Sequence, residues 1–167
     1  MEGLMGQINN VFISHHHKDD NHVDKLTELL GKNGCLIRNS SIRAKPANQA
    51  KLNKGLIKDS VIRRLLRMKI SWAGAVIVLV GKETHKRKWV NWEIEEALKR
   101  GKKIIGVYEN GLKEKVKLPD ALDDSATSIV GWNSTAIIDA INGAAPPTFQ
   151  NPDGSLTEKK AGAYIDC

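Results

Sequence analysis

The chain of 167 residues is 41% hydrophobic and 27% charged. These proportions suit one globular domain with its own core and leave little room for a second. Its 26 Lys and Arg outnumber its 19 Asp and Glu, so the formal net charge is +7. Such a charge favours anionic partners, whether phosphorylated metabolites, nucleic acid or acidic membranes.

Cysteine content and apolar runs indicate the compartment. Cys35 and Cys167 are too few for a disulfide framework and lack the spacing of a metal site, so a reducing environment is expected. The longest apolar run, AGAVIVLVG (73–81), is too short to span a membrane, and MEGLMGQINN at the start lacks the features of a signal peptide. We therefore predict a soluble, cytoplasmic protein. Among the anionic partners that the charge allows, neither a membrane nor nucleic acid is the one we expect.

The first half of the chain predicts two strands and two helices. VFIS (11–14) is too brief for a helix and rich in β-formers, which indicates a strand. After the loop HHHKDDN, a helix is predicted to end at Lys32, since Asn33 and Gly34 suit a left-handed helix end. CLIR (35–38) predicts the second strand, 39–54 a polar and basic loop, and 55–69 the second helix.

The second half continues the alternation. AVIVLV (75–80) is apolar without alternation, which predicts a central parallel strand buried on both faces. KWVNWEIEEALKRGKK, from Lys88, predicts a helix, and KIIGVY (103–108) a fourth strand. SIVGW (128–132) predicts a short fifth strand, followed by a helix through Ile141.

This order of elements predicts the fold class and the domain organisation. Strands that alternate with helices indicate a parallel sheet covered on both faces. We predict a flavodoxin-like three-layer α/β sandwich whose five-stranded parallel sheet has the order 2-1-3-4-5. Residues 1–143 are assigned to this domain. Residues 144–167 form a Pro/Gly-rich tail that we expect to be disordered or docked, with Phe149 and Tyr164 as the candidate contacts.

The strand order predicts where a ligand binds. Ligands of such sheets lie beyond the carboxyl ends of the strands where the connections diverge, here between the first and third strands. The loops SHHHKDD (14–20) and GKETHKRK (81–88) border this crevice. The helix that carries Trp89, Trp92 and Glu93 begins directly after the second loop, so its first turns are expected to face the crevice.

On this helix an apolar stripe is predicted to pack on the sheet, formed by Val90, Ile94, Ala97 and Leu98. Glu93 lies about 85° from the centre of the stripe and Trp92 about 175°. Glu93 is therefore a boundary residue near the crevice, and Trp92 points to solvent or to another chain. In the simpler alternative, Glu93 is a helix-dipole partner in the first turn and Trp89 is a core residue.

Four segments, VFISHHHKDD, GCLIRNSSI, AVIVLVGKET and KWVNWEIEEALKRGKKIIGVY, together resemble TIR and TIR-like domains, especially the ThsB-type proteins of bacterial Thoeris anti-phage systems. The similarity runs from about Asn10 to Asn142. Its most specific piece is Trp89-Val90-x-x-Glu93. Enzymatic TIR domains carry a W-x-x-x-E element at this place, and its glutamate is catalytic in NAD cleavage.

The resemblance implies an enzyme of the NAD glycohydrolase or ADP-ribosyl cyclase type, with NAD as substrate and no bound cofactor. Glu93 would stabilise the oxocarbenium-like ribose that forms when the nicotinamide–ribose bond breaks. Trp89 would wall the pocket and exclude water, so that the cation reacts with adenine or a second metabolite. The product would be an ADP-ribose-derived signal, cyclic or conjugated, that activates a separate effector in anti-phage defence.

By similarity, two loops would line the nucleotide, through Ser14, His15 and Asp19 after the first strand and Asn39 and Ser40 after the second. Ser14 and Asp19 are also favoured helix caps. The three consecutive histidines do not predict a metal site, because consecutive residues rarely converge on one ion and no carboxylate or thiolate cluster joins them.

Other members of the same fold class fit less well. A response-regulator receiver needs an aspartate at the end of the third strand, where Gly81 and Lys82 stand. A flavodoxin needs a glycine-rich phosphate loop, which SHHHKDD is not. Adaptor TIR domains carry an acidic box with Pro and Gly after the second strand, whereas this loop has only Pro46. A nucleoside deoxyribosyltransferase remains a minor alternative.

The main alternative belongs to another class, a TIR-like protein-interaction module without catalysis. Trp92 would be its anchor, since Trp is enriched at the energetic centres of interfaces. Self-association is compatible with both hypotheses, because TIR enzymes commonly complete their pockets by assembly.

Overall fold

The computed structural model describes residues 7–16, 20–39, 59–144 and 146–157. Its strands are β1 (Gln7–Ser14), β2 (Cys35–Asn39), β3 (Ala75–Val80), β4 (Lys103–Tyr108) and β5 (Ser128–Val130). Its α-helices are α1 (Asp20–Lys32), α2 (Asp59–Trp72), α3 (Lys88–Lys99), α4 (Asp120–Ser125) and α5 (Ser134–Asn142), with a short 3₁₀ helix at Thr84–Lys86.

The strands form one parallel sheet in the order β2-β1-β3-β4-β5. This order confirms the predicted flavodoxin-like α/β fold. β3 lies at the centre and all six of its residues are buried, because helices cover both faces of the sheet. β1 and β3 are neighbours in the sheet, so the chain passes over β1 on its way from β2 to β3. Ser14 at the end of β1 pairs with Val78 of β3.

The alternation of β3 divides the core into two layers. Val76, Val78 and Val80 belong to the cluster that α2, α3 and α4 cover. The other three residues of β3 belong to the cluster that α1 and α5 cover. A residue at the carboxyl end of a strand therefore meets one helical layer or the other according to its position in the alternation.

β3 and β4 span the predicted residues, α1 ends at Lys32 and α3 begins at Lys88 as predicted, and several other ends differ. β1 begins at Gln7 because residues 7–10 pair with Cys35–Arg38, and β5 ends at Val130. α2 extends to Trp72, and the predicted start at 55–58 lies outside the described residues. None of the helices in the described ranges is long and apolar enough to cross a membrane.

Residues 146–157 dock beside β5. Phe149 forms a parallel bridge with Ile129, and Gln150 an antiparallel bridge with Leu156. The Phe149 ring packs on the core, and Gly131 N donates a hydrogen bond of 2.8 Å to Gln150 Oε1. This part of the predicted tail is docked, whereas 158–167, including Tyr164, lies outside the described residues. The boundary after residue 143 stays a prediction.

Candidate functional site

Two residues that the sequence assigns to the nucleotide pocket meet at the carboxyl end of β1. Ser14, the last residue of β1, is 1% exposed, and Glu93 on α3 is 9% exposed. Ser14 Oγ donates a hydrogen bond of 2.6 Å to Glu93 Oε1. Because β1 adjoins β3, this pair lies at the point of the sheet where a ligand of such a fold is expected.

Burial changes the acidity of Glu93. It raises the pKa of this carboxyl group to about 8, and the hydrogen bond from Ser14 offsets only part of that rise. The cause is the loss of the water that stabilises the charged form. A carboxyl group with a strongly raised pKa is a candidate for a functional role. At pH 7 the neutral acid predominates.

The loop from β3 to α3 is fixed by Thr84. Its Oγ1 accepts a hydrogen bond of 2.8 Å from Gly81 N and donates one of 3.4 Å to Leu79 O. α3 then begins at Lys88, and its first turn contains no acidic residue. Glu93 is the sixth residue of the helix, so the alternative role of a helix-dipole partner in the first turn is wrong.

The buried face of α3 differs from the predicted stripe. It consists of Val90, Glu93, Ile94, Glu96 and Ala97. Leu98, which the stripe included, is 55% exposed. The buried arc is rotated toward α2 because α2 packs along this flank of α3, where Arg67 contacts Glu96. The sequence pattern of one helix does not contain that contact.

The two tryptophans of α3 are partly buried against the core. Their rings meet edge to face with centroids 5.5 Å apart. The Arg63 guanidinium lies 5.6 Å from the Trp89 ring centroid and 5.7 Å from that of Trp92, and Arg67 lies 5.5 Å from Trp92. Within this chain Trp92 therefore faces α2 rather than open solvent. Its role in assembly and that of Trp89 as a pocket wall stay predictions.

Glu96 is a second buried carboxylate, which the sequence analysis missed. Burial alone would raise its pKa, but hydrogen bonds from Lys99 and Arg67, with further help from Arg100, lower it to about 2. The three nitrogen atoms lie 2.9, 2.9 and 3.1 Å from its carboxylate oxygens. The spacing of Glu96 to Lys99 and Arg100 suits helical ion pairs, but only the fold brings Arg67 to the same group.

A cavity of about 340 Å³ opens at the carboxyl ends of β1, β3 and β4, lined by His16, Lys82, Glu83 and residues 109–112. His16 is 3% exposed. Glu109 Oε2 lies 3.5 Å from His22 Nε2. The Glu109 carboxylate also occupies the space that a side chain at Gly81 would need. The sequence analysis placed the loops that contain His16, Lys82 and Glu83 at this crevice but named none of the three as a site residue. It missed Glu109 altogether, although Glu109 directly follows the end of β4, which was the available signal.

A larger cavity of about 560 Å³ lies at the ends of β4 and β5, beneath residues 146–157. Trp132, Asp139 and Gln150 are among its walls. Neither Ser14 nor Glu93 lines this cavity or the smaller one. The candidate site is therefore identified by the chemistry of the buried carboxyl group and by its place in the sheet, not by cavity size.

Of the five residues predicted in the two nucleotide-lining loops, Ser14 and His15 have side chains that the structure describes. His15 is partly buried, with Nδ1 3.2 Å from Ile13 O. Asn39 ends β2, but its side chain lies outside the described part, as do Asp19 and Ser40. Among the residues that the structure describes, no group of three His, Cys, Asp or Glu is placed to hold a metal ion. Nucleotide contacts by these residues stay predictions.

Comparison with known proteins gives a family and one curated relative over part of the chain. The family "Thoeris protein ThsB, TIR-like domain" matches residues 12–114. The protein named "Putative cyclic ADP-D-ribose synthase ThsB1" of Bacillus cereus (strain MSX-D12) is 35% identical over 57 residues, which are 34% of this chain. The match covers only 30% of the length of that relative.

Two solved structures align with most of the chain. The CMP N-glycosidase BcmB of Clostridium botulinum aligns with a TM-score of 0.47 and 14% identity, over 81% of this chain and 99% of that one. The RPS4 and RRS1 TIR domain heterodimer aligns with a TM-score of 0.46 and 15% identity, over 83% and 93%. Alignments with such low TM-scores carry no argument about this chain. The family match, in contrast, covers well over half of the chain and includes both Ser14 and Glu93, and the chain therefore belongs to the family of TIR-like domains of the Thoeris protein ThsB.

Proposed function

We propose that this protein is a TIR-type enzyme that breaks the nicotinamide–ribose bond of NAD, with Glu93 as the catalytic carboxylate. The observation that carries the proposal is the buried Ser14–Glu93 hydrogen bond, 2.6 Å long, at the carboxyl edge of β1. Membership of the ThsB family supports it. So does the name of the B. cereus relative, which refers to an ADP-ribose product.

The raised pKa of Glu93 suggests how substrate binding and activation are linked. In the unliganded protein burial keeps this carboxyl group mainly neutral at pH 7. The nicotinamide ring of NAD is positively charged, and a nearby positive charge favours the carboxylate form. Binding would thus ionise Glu93, while Ser14 donates its hydrogen bond to the new carboxylate. That carboxylate then stabilises the positive charge that develops at the anomeric carbon as nicotinamide leaves.

The fate of the ribosyl cation decides the product. Attack by water gives ADP-ribose, whereas attack by the adenine or by a second metabolite gives a cyclic or conjugated nucleotide. Glu93 is only 9% exposed, so few water molecules would compete at this position. We propose that the protein makes an ADP-ribose-derived signal for a separate effector. Its net charge of +7 would assist the capture of the anionic pyrophosphate.

The second candidate is the non-catalytic interaction module. One observation favours it, because Ser14 and Glu93 line neither of the two cavities at the carboxyl edge of the sheet. In that case the Ser14–Glu93 pair would only join α3 to the sheet, and the protein would act through its surfaces.

Nicotinamide release from NAD separates the two candidates. We expect Glu93→Gln to lower the rate by about 100-fold or more, since removing one electrostatic contact to a transition state has that scale of effect. Glu95→Gln is the matched control, because Glu95 is an exposed residue of the same helix, and it should retain activity. The assay is run with and without extract of phage-infected cells, and products are identified by mass spectrometry. Equal background from wild type and Glu93→Gln in both conditions would leave only the interaction module.

A further inference from the structure

The outer face of α2 carries an exposed apolar stripe. Val61, Leu65, Met68 and Trp72 are 46%, 39%, 64% and 44% exposed. The opposite face of the helix supplies core residues such as Leu66 and Ile70. α2 is thus apolar on two sides, and nothing in the described part of the chain covers the outer one. Exposed apolar side chains that are contiguous, rather than scattered, mark interaction sites.

The spacing of the stripe is that of a helix–helix seam. Its residues follow one another at intervals of four, three and four positions, which is an average repeat of about 3.5. In heptad terms Leu65 and Trp72 are a positions, and Val61 and Met68 are d positions. The four side chains fall within an arc of about 60° and along about 16 Å of the helix. A stripe that faces the core of a globular protein is about 100° wide or more, whereas the seam between two paired helices is narrower. The width of this stripe therefore favours a single helix as occupant.

The charges beside the seam define the partner further. Arg64 and Lys69 occupy the flanking g and e positions, which set partner choice in paired helices. Between Ser60 and Trp72 the sequence has no acidic residue, and its other two basic residues, Arg63 and Arg67, lie on the inner flank of the helix. A second copy of this chain would bring like charges together, which disfavours self-pairing through this seam. A partner with Glu or Asp at its own flanking positions is complementary.

The seam is also held in a fixed position. On the inner flank of α2, Arg63 lies over both tryptophan rings of α3, and Arg67 bonds to Glu96. These contacts join α2 to the helix that carries Glu93. A surface that is already ordered loses less conformational freedom when its partner binds.

We propose that α2 docks an amphipathic helix of another protein, one with apolar residues at its a and d positions and acidic residues beside them. The surface is separate from the Ser14–Glu93 site, so this inference stands whether or not the protein cleaves NAD. The seam covers fewer than two heptads, and the binding should be reversible rather than permanent.

The test uses a fluorescein-labelled, helix-stapled peptide of two heptads, with Leu at a and d and Glu at e and g. A matched peptide has Lys in place of every Glu. Fluorescence anisotropy with the full chain should show at least tenfold tighter binding of the Glu peptide. Leu65→Ser with Met68→Ser should abolish that binding. Arg64→Glu with Lys69→Glu should reverse the preference in favour of the Lys peptide, with an unchanged thermal unfolding midpoint showing that the fold is intact.

Other occupants give other results, and each would overturn the proposal. Equal binding of both peptides, or of neither, would exclude an acidic helix. A dimer in sedimentation that dissociates in the Leu65→Ser, Met68→Ser variant would assign the seam to a second copy. Binding to phosphatidylglycerol vesicles that this variant loses, without peptide binding, would assign it to a membrane. The charge-reversed variant keeps the test decisive should the double serine variant not fold.

Discussion

Glu93 and Glu96 lie three residues apart on α3, and both are buried, yet their pKa values move in opposite directions. Glu93 receives one hydrogen bond, from Ser14, so burial dominates and raises its pKa to about 8. Glu96 receives hydrogen bonds from three cationic side chains, which outweigh burial and lower its pKa to about 2. The difference separates a carboxyl group poised to change its charge from one that is fixed as an anion.

The first prediction concerns the pH dependence of catalysis. If the reactive form of Glu93 is the carboxylate, kcat/KM should rise with pH and level off above about pH 8, because kcat/KM reports the pKa of the free enzyme. Ser14→Ala removes the hydrogen bond that lowers this pKa, so the rising limb should move to higher pH. Nicotinamide release at low NAD concentration measures the profile, with Glu95→Gln as the control. A limb that moves to lower pH in Ser14→Ala would contradict the assignment.

The second prediction concerns stability and needs no substrate. The pKa of Glu93 is raised above its ordinary value of 4.5 to about 8. The folded state therefore binds a proton that the unfolded state has lost, and stability falls as pH rises through this interval. Glu93→Gln lacks this titration. The free energy of unfolding of Glu93→Gln, relative to that of the wild type, should therefore increase as pH rises from about 5 to about 8. The increase should be a few kcal/mol, because each pKa unit corresponds to about 1.4 kcal/mol.

Urea unfolding at both pH values measures this difference. Glu95→Gln should show no such trend, because Glu95 is exposed on the same helix. A gap between Glu93→Gln and wild type that does not change with pH would mean that Glu93 is solvated and ionised in the folded protein.

At the scale of elements, the contact between α2 and α3 sets the orientation of α3. Arg67 reaches across it to Glu96 at 2.9 Å, and Arg63 covers the tryptophan pair. These contacts turn the buried face of α3 toward Glu93 and Glu96 and leave Leu98 exposed. The position of the candidate catalytic residue thus depends on contacts that a neighbouring helix makes with other residues of α3.

The third prediction tests this contact. Glu96→Gln removes the charge from all three ion pairs and should lower the free energy of unfolding by about 1–2 kcal/mol, because Arg67 and Lys99 are largely exposed and remain solvated. The stabilisation by Glu96 is present above its ordinary pKa and is lost as pH falls toward about 2. The gap between the variant and the wild type should therefore close in acid. A gap that persists at low pH would point to packing rather than charge.

The elements that the sequence predicts most accurately are those determined by local pattern. β3 and β4 are apolar along nearly their whole length, which is the pattern expected of a strand that is buried on both faces. α4 was missed because only Leu122 of its six residues is buried, which leaves no periodic stripe. The exposure of the Leu98 side chain was missed because it depends on the packing of α2, which lies about thirty residues earlier in the chain.

In the candidate site, too, the features that depend on local pattern were predicted and those that depend on distant contacts were not. Its location after β1 and β3 follows from strand order, which the sequence predicts, and the structure places Ser14 and Glu93 together there. The pairing of Glu109 with His22 was not predicted, because it joins the residue after β4 to the first turn of α1. α1 covers the face of the sheet opposite to the one that α3 covers. Contacts between distant segments of chain are decided by the packing of the whole fold and leave little trace in local periodicity.

For the whole molecule, the segment 146–157 extends the folded unit beyond the last helix. Its bridge with Ile129 lies alongside β5, a strand of only three residues at the edge of the sheet. A short edge strand exposes unpaired backbone groups. Here Gln150 N donates to Ile129 O at 2.8 Å, and Ile129 N donates to Thr148 O at 2.9 Å. The segment therefore protects the edge of the sheet and roofs the larger cavity.

The last prediction measures how much this segment contributes. Phe149 packs on the core but is only partly buried, so Phe149→Ala should lower the free energy of unfolding by about 1–3 kcal/mol, less than the loss of a fully buried ring. Leu156 lies in the same segment and is 76% exposed, so Leu156→Ala should change stability by no more than about 0.5 kcal/mol. Urea unfolding followed by circular dichroism compares the two variants. If Phe149→Ala and Leu156→Ala are equally stable, the segment contacts the domain without stabilising it. The folding unit would then end at residue 143. The expected difference extends that unit to at least Phe149, because the ring completes the layer that also holds α3 and Glu93.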